Sequence, residues 1–189
     1  MKIVSIKQGS DEWLKFRRCH IGASDAPIIM GMSPWCSPVK LWEQKVFETE
    51  QIENKFMQRG KELEPLALKA FEFENDICMF PMVAIHDKID WMTSSFDGVT
   101  LEKDKILEIK CPGKKDHAIA LEGKIPPKYY PQLQHQIEVS GLEFSYYYSF
   151  DGKNGICLQV LRDQEFIGKM LEKEHEFWNC LKRLKPPKI

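Results

Sequence analysis

The sequence predicts an α/β domain, and three observations carry that prediction. Short runs rich in β-branched and aromatic residues recur between residues 80 and 161, stretches with helical apolar spacing flank them, and no segment approaches the roughly 20 apolar residues of a membrane span. At 189 residues, 43% hydrophobic and 11% aromatic, the chain is long enough to bury one sizeable core, so residues 1–189 read as a single domain.

Each element follows from local chemistry. Ser10 can cap a short helix whose first turn holds Asp11 and Glu12 and whose end holds Arg17 and Arg18, charges placed to suit the helix dipole. Ser24-Asp25-Ala26-Pro27 resembles a second helix start, closed by Gly31. Ser37-Pro38 opens a third, through Leu41 and Trp42, with proline at the first helical position. Lys55 to Phe73 is a longer helical stretch, and Pro65 inside it predicts a kink or a restart. Strands are expected at 80–87, 91–96, 106–111, 145–150 and 156–161. A helix from Tyr129 to Val139 would bring Gln132 and Gln136 onto one face. The last helix, about 163–184, repeats Ile167, Met170, Leu171, Phe177, Trp178, Leu181 and Leu184 at core-packing spacing, and Pro186-Pro187 ends it.

The chemistry centres on Asp97 and the run Ile106-Leu107-Glu108-Ile109-Lys110-Cys111. Alternate residues of a strand share a face, so Ile106, Glu108 and Lys110 point one way and Leu107, Ile109 and Cys111 the other. Asp97-Gly98 is a turn signal that would set Asp97 at the start of a hairpin whose second arm carries Glu108. Two carboxylates offer hard oxygen ligands for Mg²⁺ or Mn²⁺, and a lysine beside them can orient a hydrolytic water or stabilise a pentavalent phosphate. By itself, Asp followed by Glu-x-Lys is more often an ordinary charged edge strand in a chain that is 29% charged.

The formal net charge of −1 excludes binding to nucleic acid through a global positive field, so any DNA contact must be local. Basic residues cluster at Lys15 to Arg18, Lys110 to Lys115 and Lys124 to Lys128. The six cysteines have no close pair, which argues against a zinc knuckle or an iron–sulfur cluster. The N-terminal residues are too polar for a signal peptide, and a soluble intracellular location is the expectation.

Five ordered segments resemble the lambda-exonuclease-like, YqaJ-type phage recombination nucleases of the PD-(D/E)xK superfamily. They are Ile21-Gly22-Ala23-Ser24-Asp25 with Met32-Ser33-Pro34-Trp35, then Arg59 to Pro65, Ser95-Phe96-Asp97-Gly98, Leu107 to Pro112 and Tyr130 to Gln134. The resemblance runs from about Gln8 to Gly141, with Phe96 standing where a proline often precedes the aspartate. It implies a restriction-endonuclease-like fold, a central mixed β-sheet flanked by helices. It also implies that Asp97, Glu108 and the Ile109 carbonyl bind metal, that Lys110 serves the attacking water, and that Glu64 binds metal or positions water. Gln132 would hydrogen-bond near the scissile phosphate. Asp87 would add a carboxylate for a second metal ion, with Asp90 as the alternative or either simply capping a turn. Arg17 and Ser24 match positions that bind a 5′-terminal phosphate, though an ion pair and an N-cap are their plain structural uses.

The function so implied is Mg²⁺-dependent 5′–3′ exonuclease action on linear duplex DNA, with Mn²⁺ as substitute and two ions per site, leaving a 3′ single strand for recombination. A ring-shaped homotrimer, a single-strand annealing protein as partner and the cytoplasm of a bacterial host, with a phage or prophage gene, are further implications of the resemblance. A structure-specific or restriction-like endonuclease and a weakly catalytic DNA-end-binding module are the alternatives.

Overall fold

The computed structural model describes residues 1–49 and 55–188. Its centre is a seven-stranded mixed sheet. Strands β1 (Lys2–Val4), β3 (Phe80–Ile85), β4 (Met92–Val99), β5 (Ile106–Lys110), β6 (Phe144–Phe150) and β7 (Gly155–Leu161) lie in that spatial order, and the two-residue β2 (Ile21–Gly22) pairs in parallel with β4. The β5–β6 pair is also parallel, while β1–β3, β3–β4, β4–β5 and β6–β7 are antiparallel.

Helices cover both faces. Helix α6 (Tyr130–Ser140) and helix α7 (Gln164–Lys182) bury Leu133, Ile137, Ile167 and Met170 against Met92, Phe96, Ile106 and Tyr147. Helix α4 (Lys55–Asn75) packs Ala67 and Phe71 on the other face, against Leu107, Ile109, Tyr148 and Phe150. Full burial of one such side chain contributes about 1.5–3 kcal/mol, so this two-sided packing fixes which face each residue of β5 presents. A corner beyond the sheet is closed by α1 (Asp11–Arg18), α2 (Ala26–Ile29) and α3 (Pro38–Val46), where Ile21, Ile29, Leu41 and Trp42 meet Phe177 of α7. Helix α5 (Lys114–Leu121) follows β5 directly. Inside the protein, His135 of α6 joins Glu174 of α7 at 2.8 Å and the Thr93 carbonyl of β4 at 2.9 Å, tying three elements together.

Three expectations change. The long helix does not restart at Pro65 but runs on from Lys55 to Asn75, its packing on the sheet carrying it past the proline. Residues Ser24 to Gly31 form a turn of 3₁₀ helix (Ala23–Asp25) and then the four-residue α2, with Gly31 at φ 72° stopping it. Asp97-Gly98 is not the hairpin turn. Strand β4 continues through both residues to Val99, and Thr100 to Lys105 make the reversal, held by Thr100 and Asp104.

Candidate active site

The sheet opens where the site lies. One edge of β4 is shared, with β2 taking Met92 and Thr93 and β5 taking only Gly98 and Val99. Beyond Leu107, β5 is paired only on its other side, with β6, so β4 and β5 diverge and leave a gap. On the opposite edge of β4, Phe80 faces Val99 and Met82 faces Phe96, so Asp97 and Gly98 together oppose Pro81. That two-against-one register is a β-bulge, and Pro81 suits it because proline has no N–H to offer the ladder. The bulge re-aims Asp97. Its Oδ2 accepts the Ile109 N–H at 2.7 Å across the gap, in place of a backbone acceptor. The N–H and C=O of one strand residue face the same side, so the Ile109 carbonyl also faces this gap.

Glu108 and Lys110 lie on the α6 side of β5, as the alternation predicts. Glu108 is 2% exposed and heavily bonded. Lys110 Nζ and the Gln132 amide, at 2.6 Å, both donate to its Oε1, and the Gln136 amide donates to Oε2. Gln132 and Gln136 are one turn apart on α6, and this single helix face therefore fixes the carboxylate from one side. Glu64 comes from α4, on the other face of the sheet, and its charge reaches both Asp97 and Glu108.

The electrostatics report an excess of negative charge. Burial, Glu108 and Glu64 push the Asp97 carboxyl well above its ordinary range, against the downward pull of Lys110 and the Ile109 N–H. Burial and Glu108 likewise raise Glu64. Burial would lower the Lys110 ammonium, but Glu108 and Asp97 outweigh it and hold the lysine firmly charged. Glu64, Asp97 and Glu108, with Lys110 and, at Glu64, Lys61 as the cations against them, offer the hard oxygen that a divalent cation such as Mg²⁺ or Mn²⁺ takes. Asp97, Glu108, Glu64 and the Ile109 carbonyl are the oxygen donors that could hold it.

Arg17 and Ser24 form a second group. Arg17 Nη2 donates to Ser24 Oγ at 2.7 Å, and the guanidinium lies 4.5 Å from the Trp13 ring centroid. Ser24 caps no helix: it lies inside the 3₁₀ turn, whose capping residue Gly22 donates its N–H to the Asp25 carboxylate at 2.9 Å, and α2 begins without a side-chain cap. Asp25 itself is buried and paired with Lys45 at 2.8 Å, and although burial alone would raise its pKa, Lys45 and Arg17 bring it below the ordinary range. The Trp13 indole donates to Ser95 Oγ at 2.8 Å, which ties α1 to β4 two residues before Asp97.

Asp87 and Asp90 are not brought to this cluster. β3 meets β4 from Val99 back to Thr93, and Asp87 lies past that end, more than four residues or about 13 Å of strand from Asp97. There its carboxylate is exposed and pairs with the Met1 ammonium at 2.7 Å. Asp90 is exposed in the same β3–β4 connection, at the rim of a surface cleft with Trp91 and His175.

Residues unassigned from the sequence also build the site. Arg59 of α4 donates to the carbonyls of Cys111 at 2.9 Å, Pro112 at 3.2 Å and Asp151 at 2.7 Å, clamping the chain directly after Lys110. Tyr129 sets its ring 5.5 Å from Lys110 Nζ, and burial raises its hydroxyl to about 12. The spacing of Gln136 from Gln132 was a signal for a shared face, but nothing in the spacing gave it Glu108 as partner.

An open mixed sheet with an acid–lysine site in the gap between two diverging strands defines the PD-(D/E)xK nuclease fold class, in its restriction-endonuclease-like form. The chain belongs to the YqaJ-like viral recombinase domain family, whose model matches residues 12–143. It is 30% identical over 176 residues to the uncharacterized protein YqaJ of Bacillus subtilis, which covers 89% of this chain and 55% of that protein. It is 26% identical over 157 residues to the uncharacterized protein R354 of Acanthamoeba polyphaga mimivirus, covering 75% of this chain and 29% of that one. The chain therefore spans about half the length of the first relative and less of the second. Among solved structures, the alkaline exonuclease LHK-Exo from Laribacter hongkongensis superposes with a TM-score of 0.78 at 26% identity, over 93% of this chain and 94% of that one. A phage-related exonuclease from Haemophilus somnus 129PT has the same fold, with a TM-score of 0.67 at 16% identity over 87% and 94% of the two chains.

Proposed function

We propose that this chain is a metal-dependent deoxyribonuclease that degrades linear duplex DNA from 5′-phosphorylated ends in the 5′–3′ direction and leaves a 3′ single strand. The observation that carries the reading is Glu108, a buried carboxylate held by Lys110, Gln132 and Gln136 beside Asp97 and Glu64. Burial and mutual repulsion raise the Asp97 and Glu64 carboxyls, and acids gathered in this way favour a cation site over a purely structural role.

A Mg²⁺ ion at Asp97, Glu108, Glu64 and the Ile109 carbonyl would supply Lewis-acid polarisation of the phosphate and an ionised water. Lys110 orients that water and meets the charge growing on the phosphoryl oxygens, and Gln132 steadies the same group. Hydrolysis forms a bond from the water oxygen to phosphorus and breaks the bond to the 3′ oxygen of the terminal nucleotide, which leaves as an alcohol. The shortened strand again ends in a 5′ phosphate. Arg17 and Ser24 are the ligands for that phosphate, and Arg17 with Lys45 against Asp25 leaves the corner cationic. A homotrimer closed around DNA, with a single-strand annealing protein as partner, completes this reading and explains how a chain of net charge −1 stays on its substrate.

The test compares linear duplex with a 5′ phosphate, the same duplex with a 5′ hydroxyl and a closed circle, each in Mg²⁺ and in EDTA. Progressive loss of the phosphorylated linear DNA, a surviving circle, and abolition by EDTA and by Lys110→Ala are expected. A cut circle refutes the end recognition, and no cleavage in Mg²⁺ or Mn²⁺ refutes the nuclease.

A further inference from the structure

We propose that Trp35 is a stacking site for an unpaired base of the DNA strand at the active site. The inference rests on the nuclease reading for its ligand, and its geometry starts at Lys110. From Lys110 Nζ to the Tyr129 ring is 5.5 Å, from that ring to Lys128 Nζ is 5.3 Å, and from Lys128 Nζ to the Trp35 ring is 4.6 Å. These alternating cations and rings lead from the reactive lysine to the surface. At their outer end the Trp35 indole is 65% exposed on the loop between α2 and α3, after the exposed Pro34.

An indole left in water costs the protein apolar burial it could otherwise gain, and this one is held in place by a cation. Lys128 is fixed in turn by Asp116 at 2.7 Å, so its ammonium stays beside the ring instead of wandering in solvent. A protein groove would bring further apolar neighbours to the ring. Cations alternating with aromatic faces instead match a polyanion carrying flat bases, in which phosphates meet Lys128 and a base lies on Trp35. Every base has a stacking face, so the site would take any sequence and would favour ends whose terminal pair is open.

The test is equilibrium binding of a fluorescent, 5′-phosphorylated oligonucleotide with a frayed end, on the Lys110→Ala background so that no cleavage intervenes. Trp35→Ala is expected to weaken binding about 5- to 140-fold, which is 1–3 kcal/mol of stacking at 1.4 kcal/mol per tenfold, while Trp35→Phe keeps most of it. An abasic nucleotide at one terminal position should reproduce the loss in the tryptophan protein and add nothing in Trp35→Ala. Unchanged binding by Trp35→Ala, or an abasic penalty of equal size in both proteins, overturns the stacking site. A wild-type chain that cuts DNA while its binding ignores Trp35 overturns this inference alone. Trp35-dependent binding in a wild-type chain that cuts nothing overturns the nuclease alone, and absence of DNA binding overturns both.

Discussion

The Asp97 carboxylate accepts the backbone N–H of Ile109 at 2.7 Å, across strands that no longer pair at that point. An aspartate has taken the place of a ladder acceptor, and the bulge opposite Pro81 aims it there. Both strands of the site are thus held at a fixed separation, with the carboxylate and the carbonyl of Ile109 facing one gap.

That carboxylate is held at a cost to stability. Its pKa in the folded protein lies well above the ordinary value, through burial and the charges of Glu108 and Glu64, so the folded state resists the ionised form. The sign follows: a carboxylate raised on folding lowers stability as pH climbs from its unfolded pKa through its folded one, and the full deficit remains above that. In EDTA, Asp97→Asn should therefore unfold at a higher temperature than the parent at pH 7, with the gain shrinking as pH falls toward 4. The same substitution should abolish metal-dependent hydrolysis. A melting temperature equal to or below the parent's at pH 7 would show that the charge cluster is relaxed by other means.

Arg59 joins the helix carrying Glu64 to the strand carrying Glu108 and Lys110, through the carbonyls of Cys111, Pro112 and Asp151. It touches no carboxylate of the site in these contacts, so it is a positioning residue. Lysine cannot reproduce a fork that reaches three carbonyls. Arg59→Lys should lower kcat about 10- to 100-fold, the effect of a reacting group displaced by about 1 Å, with KM for DNA nearly unchanged. A rise in KM at constant kcat would instead make Arg59 a DNA contact.

How much of this was legible depends on how local each cause is. The run from Ile106 to Lys110 alternates between two buried helix layers, and the sequence carries both the period and the chemistry of that strand. The faces of α6 and α7 were equally plain. Strand β1 was missed because three residues give no measurable period, and β2 because two residues earn their place only by pairing with β4. Helix α5, with Lys114 to His117 polar in its first half and Ala118 to Leu121 apolar in its second, has no clear apolar face to read. Asp87 came from the resemblance, which carries no direction: the chain runs away from Asp97 along β3 before it turns.

Asp97-Gly98 shows how the correct glycine can be read for the wrong reason. The pair resembles a turn, where glycine supplies a positive φ, yet Gly98 sits in a strand and is not among the positive-φ glycines of the described residues. Space is what it provides. A Cβ there would lie 2.7 Å from the Met79 Cβ and 3.3 Å from the Leu107 Cβ, both on the buried α4 face. Those are first atoms of side chains, which cannot swing aside without moving backbone. Gly98→Ala is thus expected to destabilise the protein by about 1–3 kcal/mol, measured by urea unfolding. Because any relief must shift the bulge, hydrolysis should fall with it even where the protein is fully folded. A stable Gly98→Ala with parental activity would show that the bulge is free to move, and the separation of Asp97 from β5 would then need another support.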